Sequence, residues 1–361
     1  MNTSLLRSIG AAVCLSSAYY WVPATRAVTK APPVQQPYHL IQKIGLSGTE
    51  RWDYLTLDSA ARHLYVTRGT RVVVLNVDTG KVVGQISQTA GVHGIALAPT
   101  LGRGFTSNGT AATVTIFDLK TLQVLGQVKT GENPDAIVYE PVSQRVFTFN
   151  GKSNTTTVFD AKSAKVLSTL PLGGRPEFAV ADGSGQVYVN IETTNEVVTL
   201  EARTLTVKAR FPLTPCTEPS GIAIDQAHRR LFIGCSNQKM AVVDADSGQV
   251  KATLPIGQRV DANAFDPATG LAFSSNGDGT LTIVHEDSPA RFSVLGNVIT
   301  QPGARTMALD LKTHNVFLAA AQLDPSPLPP LGSGQLPIRP KVRPGTFTGM
   351  EGWGTLKAPV F

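Results

Sequence analysis

Cysteine is scarce in this 361-residue chain, three in all, and charge is thin at 16% of positions, with 7% aromatic residues. So little charge excludes a disordered acidic or basic chain, and 33 glycines without a three-residue period exclude collagen. No GxSxG, HExxH, Cys-Cys-His haem signature or Walker loop is present, so no short motif announces a reaction. Nor is there a cluster of Lys and Arg interleaved with stacking aromatics, which a groove tracking a nucleic-acid backbone would need. The formal charge of +6 does not alter this. Arg7 and Arg26 lie in the first 27 residues without an acid, and residues 322–361 hold four cations against two acids, so the part expected to fold carries only +2.

Residues 1–27 place Arg7 before an apolar run over 9–22 and then the small-residue stretch ATRA ending at Ala27. That order belongs to a secretory signal peptide, and the run is too short to span a bilayer. Export to the periplasm or the exterior, cleavage near Ala27 and a linker over 28–37 are expected. A lipid anchor on Cys14 is disfavoured by the bulky Val13 before it. Two cysteines then remain, Cys216 and Cys235. Oxidising surroundings favour a disulfide between them, because a metal site needs more soft ligands than two thiols with no nearby His.

What the chain has in quantity is repetition. HGIALAPTLGRGFTSNGTAATVTIFDLKTLQVLGQV, PDAIVYEPVSQRVFTFNGKSNTTTVFDAKSAKVLSTL and SGIAIDQAHRRLFIGCSNQKMAVVDADSGQVKATL each read as four short strands. The second strand sets the register, since one slot holds Tyr65, Phe105, Phe147, Tyr188, Phe232, Phe273 and Phe317 at spacings of 40 to 44 residues. A four-stranded unit of that length is a propeller blade, which buries both faces against its neighbours. The expectation is an all-β, seven-bladed β-propeller over 38–321, with these aromatics between blades. The last blade shows only two strands, in ARTMALDLKTHNVFLAA, while YHLIQKIGL (38–46) has strand composition and no partner. That N-terminal strand is expected to close the ring as the outer strand of the last blade. The tail 322–361 is rich in Pro and Gly, and glycines 349, 352 and 354 break the alternation that a third strand of the last blade would show after Phe347. The tail either completes the last blade or ends as a loose segment.

The repeat motifs WDYLTLD (52–58), VHGIALAP (92–99), NPDAIVYEP (133–141), RPEFAVADG (175–183), PSGIAID (219–225) and VDANAFDPATG (260–270) together resemble the YncE-like, YVTN-repeat β-propellers of exported bacterial proteins. The resemblance implies a seven-bladed propeller outside the cytoplasm. It carries no settled activity.

In a propeller the loop into the first strand and the loop out of the second lie on one face, so aligned positions there ring the channel mouth. The first slot reads Asp53, His93, Asp135, Glu177, Ser220, Asp261 and Arg305, nearly all ionisable in a weakly charged chain. The second slot includes Asn108, Asn150 and Asn276, each followed by Gly. Carboxylates and Asn carbonyls converging on a channel mouth suit a polar ligand or a hard cation such as calcium, with His93 as ligand or general base. Against this, Arg305 neutralises Asp53 and Asp261, and Asn-Gly is a tight-turn signal that needs no ligand. Ser220 and His93 fall nearly opposite across the ring, too far apart for a triad. His63, His228 and His314 fall in turns on the other face, His39 in the closing strand, and His285 with Glu286 and Asp287 in a solvated turn.

Two functions fit. The first is a monomeric binding module for a polar small molecule or a protein loop, without a cofactor, using Asp53, His93, Asp135, Glu177, Asp261, Arg305, Asn108, Asn150 and Asn276. The second is a calcium-assisted hydrolase such as a lactonase, in which the ion polarises a carbonyl and acidifies a bound water. Neither a nucleic-acid partner nor a transmembrane segment in the mature chain is expected.

Overall fold

An Asp or Asn ends the third strand of several repeats and shapes the turn that follows. Oδ1 of Asp118 accepts from the backbone N–H groups of Lys120 and Thr121 at 3.0 and 2.7 Å, and Asp160, Asp244 and Asn76 repeat the arrangement. Satisfying those two amides locally ends one strand and reverses the chain into the fourth.

The computed structural model describes Met1, residues 38–324 and residues 341–355, the stretch 348–355 by its backbone. The expected signal peptide and linker thus lie, Met1 apart, outside the described residues. Residues Gln36–Phe361 form one compact unit. The architecture is all-β, built of repeated four-stranded antiparallel sheets as in a propeller. Six sheets are consecutive in sequence, over 52–86, 92–129, 134–171, 176–212, 219–255 and 260–299, and are called sheets 1 to 6 here. Sheet 7 has the order Tyr38–Gly45, Thr348–Thr355, Asn315–Ala320, Met307–Asp310. First strands pack against one another in chain order, and the first strand of sheet 7 packs against that of sheet 1.

The strand Thr348–Thr355 decides between the two expectations for the tail, since it belongs to sheet 7. Its glycines carry no pattern, yet it pairs on both sides, Phe317 opposite Gly352 on one edge and Lys43 opposite Glu351 on the other. Two flanking strands supply the hydrogen bonds that make the segment a strand, and this outweighs its poor intrinsic preference.

Every aromatic of the second-strand slot is buried, and none is more than 4% exposed. They pack between sheets: Phe105 meets Phe159 of sheet 3 with ring centroids 5.7 Å apart, Tyr65 meets Phe117 of sheet 2 at 5.8 Å, and Phe232 stacks on Phe265 of sheet 6 at 5.0 Å. Tyr38 of the N-terminal strand lies edge-on to Phe273 at 5.1 Å and donates its hydroxyl to the carbonyl of His314. Cys216 and Cys235 form a disulfide that pins the loop into sheet 5.

Phe232→Ala should cost about 3–5 kcal/mol in denaturant unfolding, whereas Val83→Ala, on an exposed outer strand, should stay within about 0.5 kcal/mol. Cys235→Ser should lower stability by about 3 kcal/mol relative to the oxidised protein, from loop-closure entropy over a separation of 19 residues.

Candidate functional site

The ionisable slot sits where each first strand leaves its ladder. Register shifts between Trp52 and Leu55, Val92 and Ile95, Pro134 and Ile137, Pro176 and Ala179, Pro219 and Ile222, and Val260 and Ala262 bracket Asp53, His93, Asp135, Glu177, Ser220 and Asp261. Such an irregularity re-aims a side chain that a regular strand would hold over the sheet. Polar residues of the second strand take up backbone groups that it frees. Thr67 Oγ1 accepts from the N–H of Tyr54 at 2.9 Å, and Ser107 Oγ accepts from the N–H of Gly94 at 2.8 Å. Ser107 also donates to the carbonyl of Asp135, Asn190 to that of Ser220 and Ser275 to that of Arg305, so each bond ties one sheet to the next at the slot. Gly221 is required by the same crowding, since a Cβ there would stand 2.6 Å from the backbone nitrogen of Asn263.

Asp53, His93, Asp135, Glu177, Asp261 and Arg305 line one cavity of about 500 Å³. Their charges alternate along an arc. Asp261 Oδ1 lies 3.6 Å from Arg305 Nη1, Arg305 Nη2 3.7 Å from Asp53 Oδ1, Asp53 Oδ2 2.5 Å from His93 Nδ1, and His93 Nδ1 3.7 Å from Asp135 Oδ1. Arg305 therefore does stand between Asp261 and Asp53. Glu177 is 3.7 Å from Arg175, which also reaches Glu192 at 3.1 Å. One donor atom each from Asp53, His93 and Asp135 lies within 4.8 Å of the others, close enough to share an ion.

The asparagines are elsewhere. Asn108, Asn150 and Asn276 are fully buried and do not line the cavity. Each donates its amide to two threonines of its own sheet's third strand: Thr113 and Thr115, Thr155 and Thr157, Thr280 and Thr282, at 2.9 to 3.1 Å. They are internal clamps because the sheet end offers hydroxyls at the right reach, a spacing visible in the sequence as Asn followed four to seven residues later by two Thr. Ser220 is also turned away, its hydroxyl donating to the carbonyl of Asp261 at 3.2 Å.

Sequence reasoning missed the cavity's other lining. Arg51 and Arg175 join it, and Tyr54 and Phe178 stack at 4.5 Å across it, one from sheet 1 and one from sheet 4. A signal existed: the position after the ionisable slot reads Tyr54, Gly94, Ala136, Phe178, Gly221, Ala262 and Thr306, so only two blades place a large ring where the others are small.

Burial pushes the Asp135 carboxyl up to about 6, Asp53 adding to it while His93 and Arg305 oppose. Asp261 rises to about 7, again by burial first, with Arg305 opposing and Asp53 and Asp135 reinforcing. Glu177 is held well above the carboxylate range by burial and by Asp135, Asp261 and Glu192. Tyr54 is driven far up by burial and then by four surrounding carboxylates. Its hydroxyl and Glu177 Oε2 are buried without a hydrogen-bond partner among the described residues.

No family model matches this sequence, and no curated protein matches it in sequence. Among solved structures it is similar to the hydrazine synthase of Kuenenia stuttgartiensis, a β-propeller-containing protein, with a TM-score of 0.68 at 13% identity over 78% of this chain and 96% of that one. That likeness shows the fold alone. No helix of the described residues is long and apolar enough to cross a membrane.

A carboxyl with a raised folded-state pKa keeps a proton that the unfolded chain has already released, so stability falls as pH climbs from the unfolded value of about 4 toward the folded one of about 7. Asp261→Asn should flatten this part of the profile by on the order of 1–3 kcal/mol, read from denaturant midpoints across that interval.

Proposed function

We propose that this chain is an exported, seven-bladed β-propeller, related to the YncE-like proteins, that binds a polar ligand bearing a cationic group in the cavity of Asp53, His93, Asp135, Glu177, Asp261 and Arg305. The six repeat motifs support the relationship. Ring closure is supported by the packing of the seventh first strand on the first and by the N-terminal strand pairing in sheet 7. Export is supported by the leader pattern and the disulfide.

The observation that carries the ligand reading is that four carboxyls share one shielded cavity and three of them are not fully offset by the arginines that line it with them. Asp135, Asp261 and Glu177 are all pushed toward the neutral form. An ammonium or a basic side chain entering there would let those groups ionise and would find in Tyr54 and Phe178 an aromatic pair. The volume suits a small molecule or one loop of a partner protein.

A second reading, metal-assisted hydrolysis, is favoured by the Asp53, His93 and Asp135 cluster alone. An imidazole nitrogen among the donors fits a borderline ion of the zinc class better than calcium, which takes oxygen ligands. These residues would hold the ion, and the ion would lower the pKa of a bound water.

Thermal-shift profiling against matched amine and carboxylate solutes should select amines, with the shift lost in Asp135→Asn/Glu177→Gln. A preference for carboxylates, or selection unchanged by that double variant, would sink the ligand reading. Ester or lactone turnover that requires added metal and disappears in His93→Ala would instead establish the second.

A further inference from the structure

The turns between first and second strands carry a second set of inter-sheet pairs. An acid ends or directly follows most first strands, and at three junctions a basic residue just before the second strand of the following sheet faces it. Arg229 reaches Asp182 at 2.8 Å, His314 reaches Asp266 at 2.7 Å, and Arg62 of sheet 1 reaches Asp310 of sheet 7 at 2.6 Å. At Asp225 of sheet 5 the corresponding residue of sheet 6 is Gly270, which has no side chain to offer, as is true of Gly102 after Asp58 and Gly185 after Glu140. What sets this junction apart is its second acid, Glu286, from the third strand of sheet 6.

His228 Nδ1 lies 2.6 Å from Asp225 Oδ2 and 3.3 Å from Glu286 Oε1, and one donor atom from each of the three falls within 4.8 Å of the others. Contrary to the solvated turn expected around His285, Glu286 is only 8% exposed. Neither of its carboxylate oxygens has a hydrogen-bond donor among the described residues. Arg230, nearby, is committed to Asp244 at 2.8 Å and to the carbonyl of Pro289 at 3.0 Å. A buried carboxyl is thus aimed at an imidazole and a second carboxyl, at the place where three other sheet junctions hold a positive group. Ionising two acids buried against one imidazole is costly.

We propose that Asp225, His228 and Glu286 bind a divalent transition-metal ion of the zinc class, filling the position that Gly270 leaves without a cation. One imidazole and two carboxylates are a donor set for such an ion and neutralise its charge. Bonds of about 2.0–2.2 Å at tetrahedral angles hold ligand atoms about 3.3 Å apart, the His228 to Glu286 separation, and Asp225 would move back by about 0.7 Å. His228 is half-exposed, so water completes the coordination. The site is separate from the cavity and does not rest on the ligand reading.

Metal-free full-length protein is titrated calorimetrically with Zn²⁺ in an Asp53→Asn/His93→Ala/Asp135→Asn background, which removes all three donors of the cavity's cluster. A single equivalent should bind, and Glu286→Gln should weaken it at least about tenfold. Gly270→Arg supplies the missing guanidinium at a backbone angle of φ +67, close to the +60 and +56 of Arg62 and Arg229, so it should fold, abolish Zn²⁺ binding and raise the thermal midpoint of the metal-free protein. Should Glu286→Gln fail to fold, Gly270→Arg decides. The proposal is overturned if the background binds no Zn²⁺, including the case where wild type binds it only through the cavity, or if binding survives Gly270→Arg unchanged.

Discussion

A four-stranded sheet with two apolar faces has no stable existence by itself, and every other feature of this molecule follows from how the sheets complete one another. The rings of the second-strand slot lie between sheets, Phe105 against Phe159 and Tyr65 against Phe117, so each sheet's core is partly supplied by the next. The same requirement draws Tyr38–Gly45 and Thr348–Thr355 into sheet 7, because two strands alone would leave an apolar surface and an open edge.

Close packing of the first strands has an electrostatic consequence. It brings one ionisable residue from each sheet but the fifth into a shared cavity where solvent shields little, and alternation along Asp261, Arg305, Asp53, His93 and Asp135 offsets much of the repulsion. The compensation is incomplete, and the raised carboxyls of Asp135, Asp261 and Glu177 express the remainder. Asp182 and Asp310 make the contrast on the other turns. Burial acts on them too, but hydrogen bonds from Ser184 and Arg229, and from Thr313 and Arg62, outweigh it and hold both below the ordinary range. The difference between a structural ion pair and a reactive or receptive acid is here the presence of a directly bonded donor. By that criterion Glu286 belongs with the cavity acids although it lies in a turn.

Much of the fold was legible because it is periodic. An aromatic every 40 to 44 residues and an ionisable residue opening all but one of the repeats are local patterns, and a repeat multiplies a weak local signal until it is decisive. The six cavity residues could be aligned for that reason, and the disulfide followed from having only two cysteines beyond residue 27. Asn108, Asn150 and Asn276 were aligned equally well and read wrongly as cavity residues. A register says which residues are equivalent and not which way they point, and their amides turn inward to threonine hydroxyls.

What breaks the period was left to tertiary structure. The glycine-rich Thr348–Thr355 is a strand only because two neighbours pair with it, the Tyr54 and Phe178 stack joins sheets 1 and 4 across the cavity, and Glu286 meets Asp225 from a different sheet. The sequence by itself determined the repeating sheet, its buried aromatics and the ionisable slot, since each depends on residues a few positions apart. Only the folded chain decided which acids keep a donor and which do not, because that depends on side chains from different sheets whose separation in sequence follows no pattern.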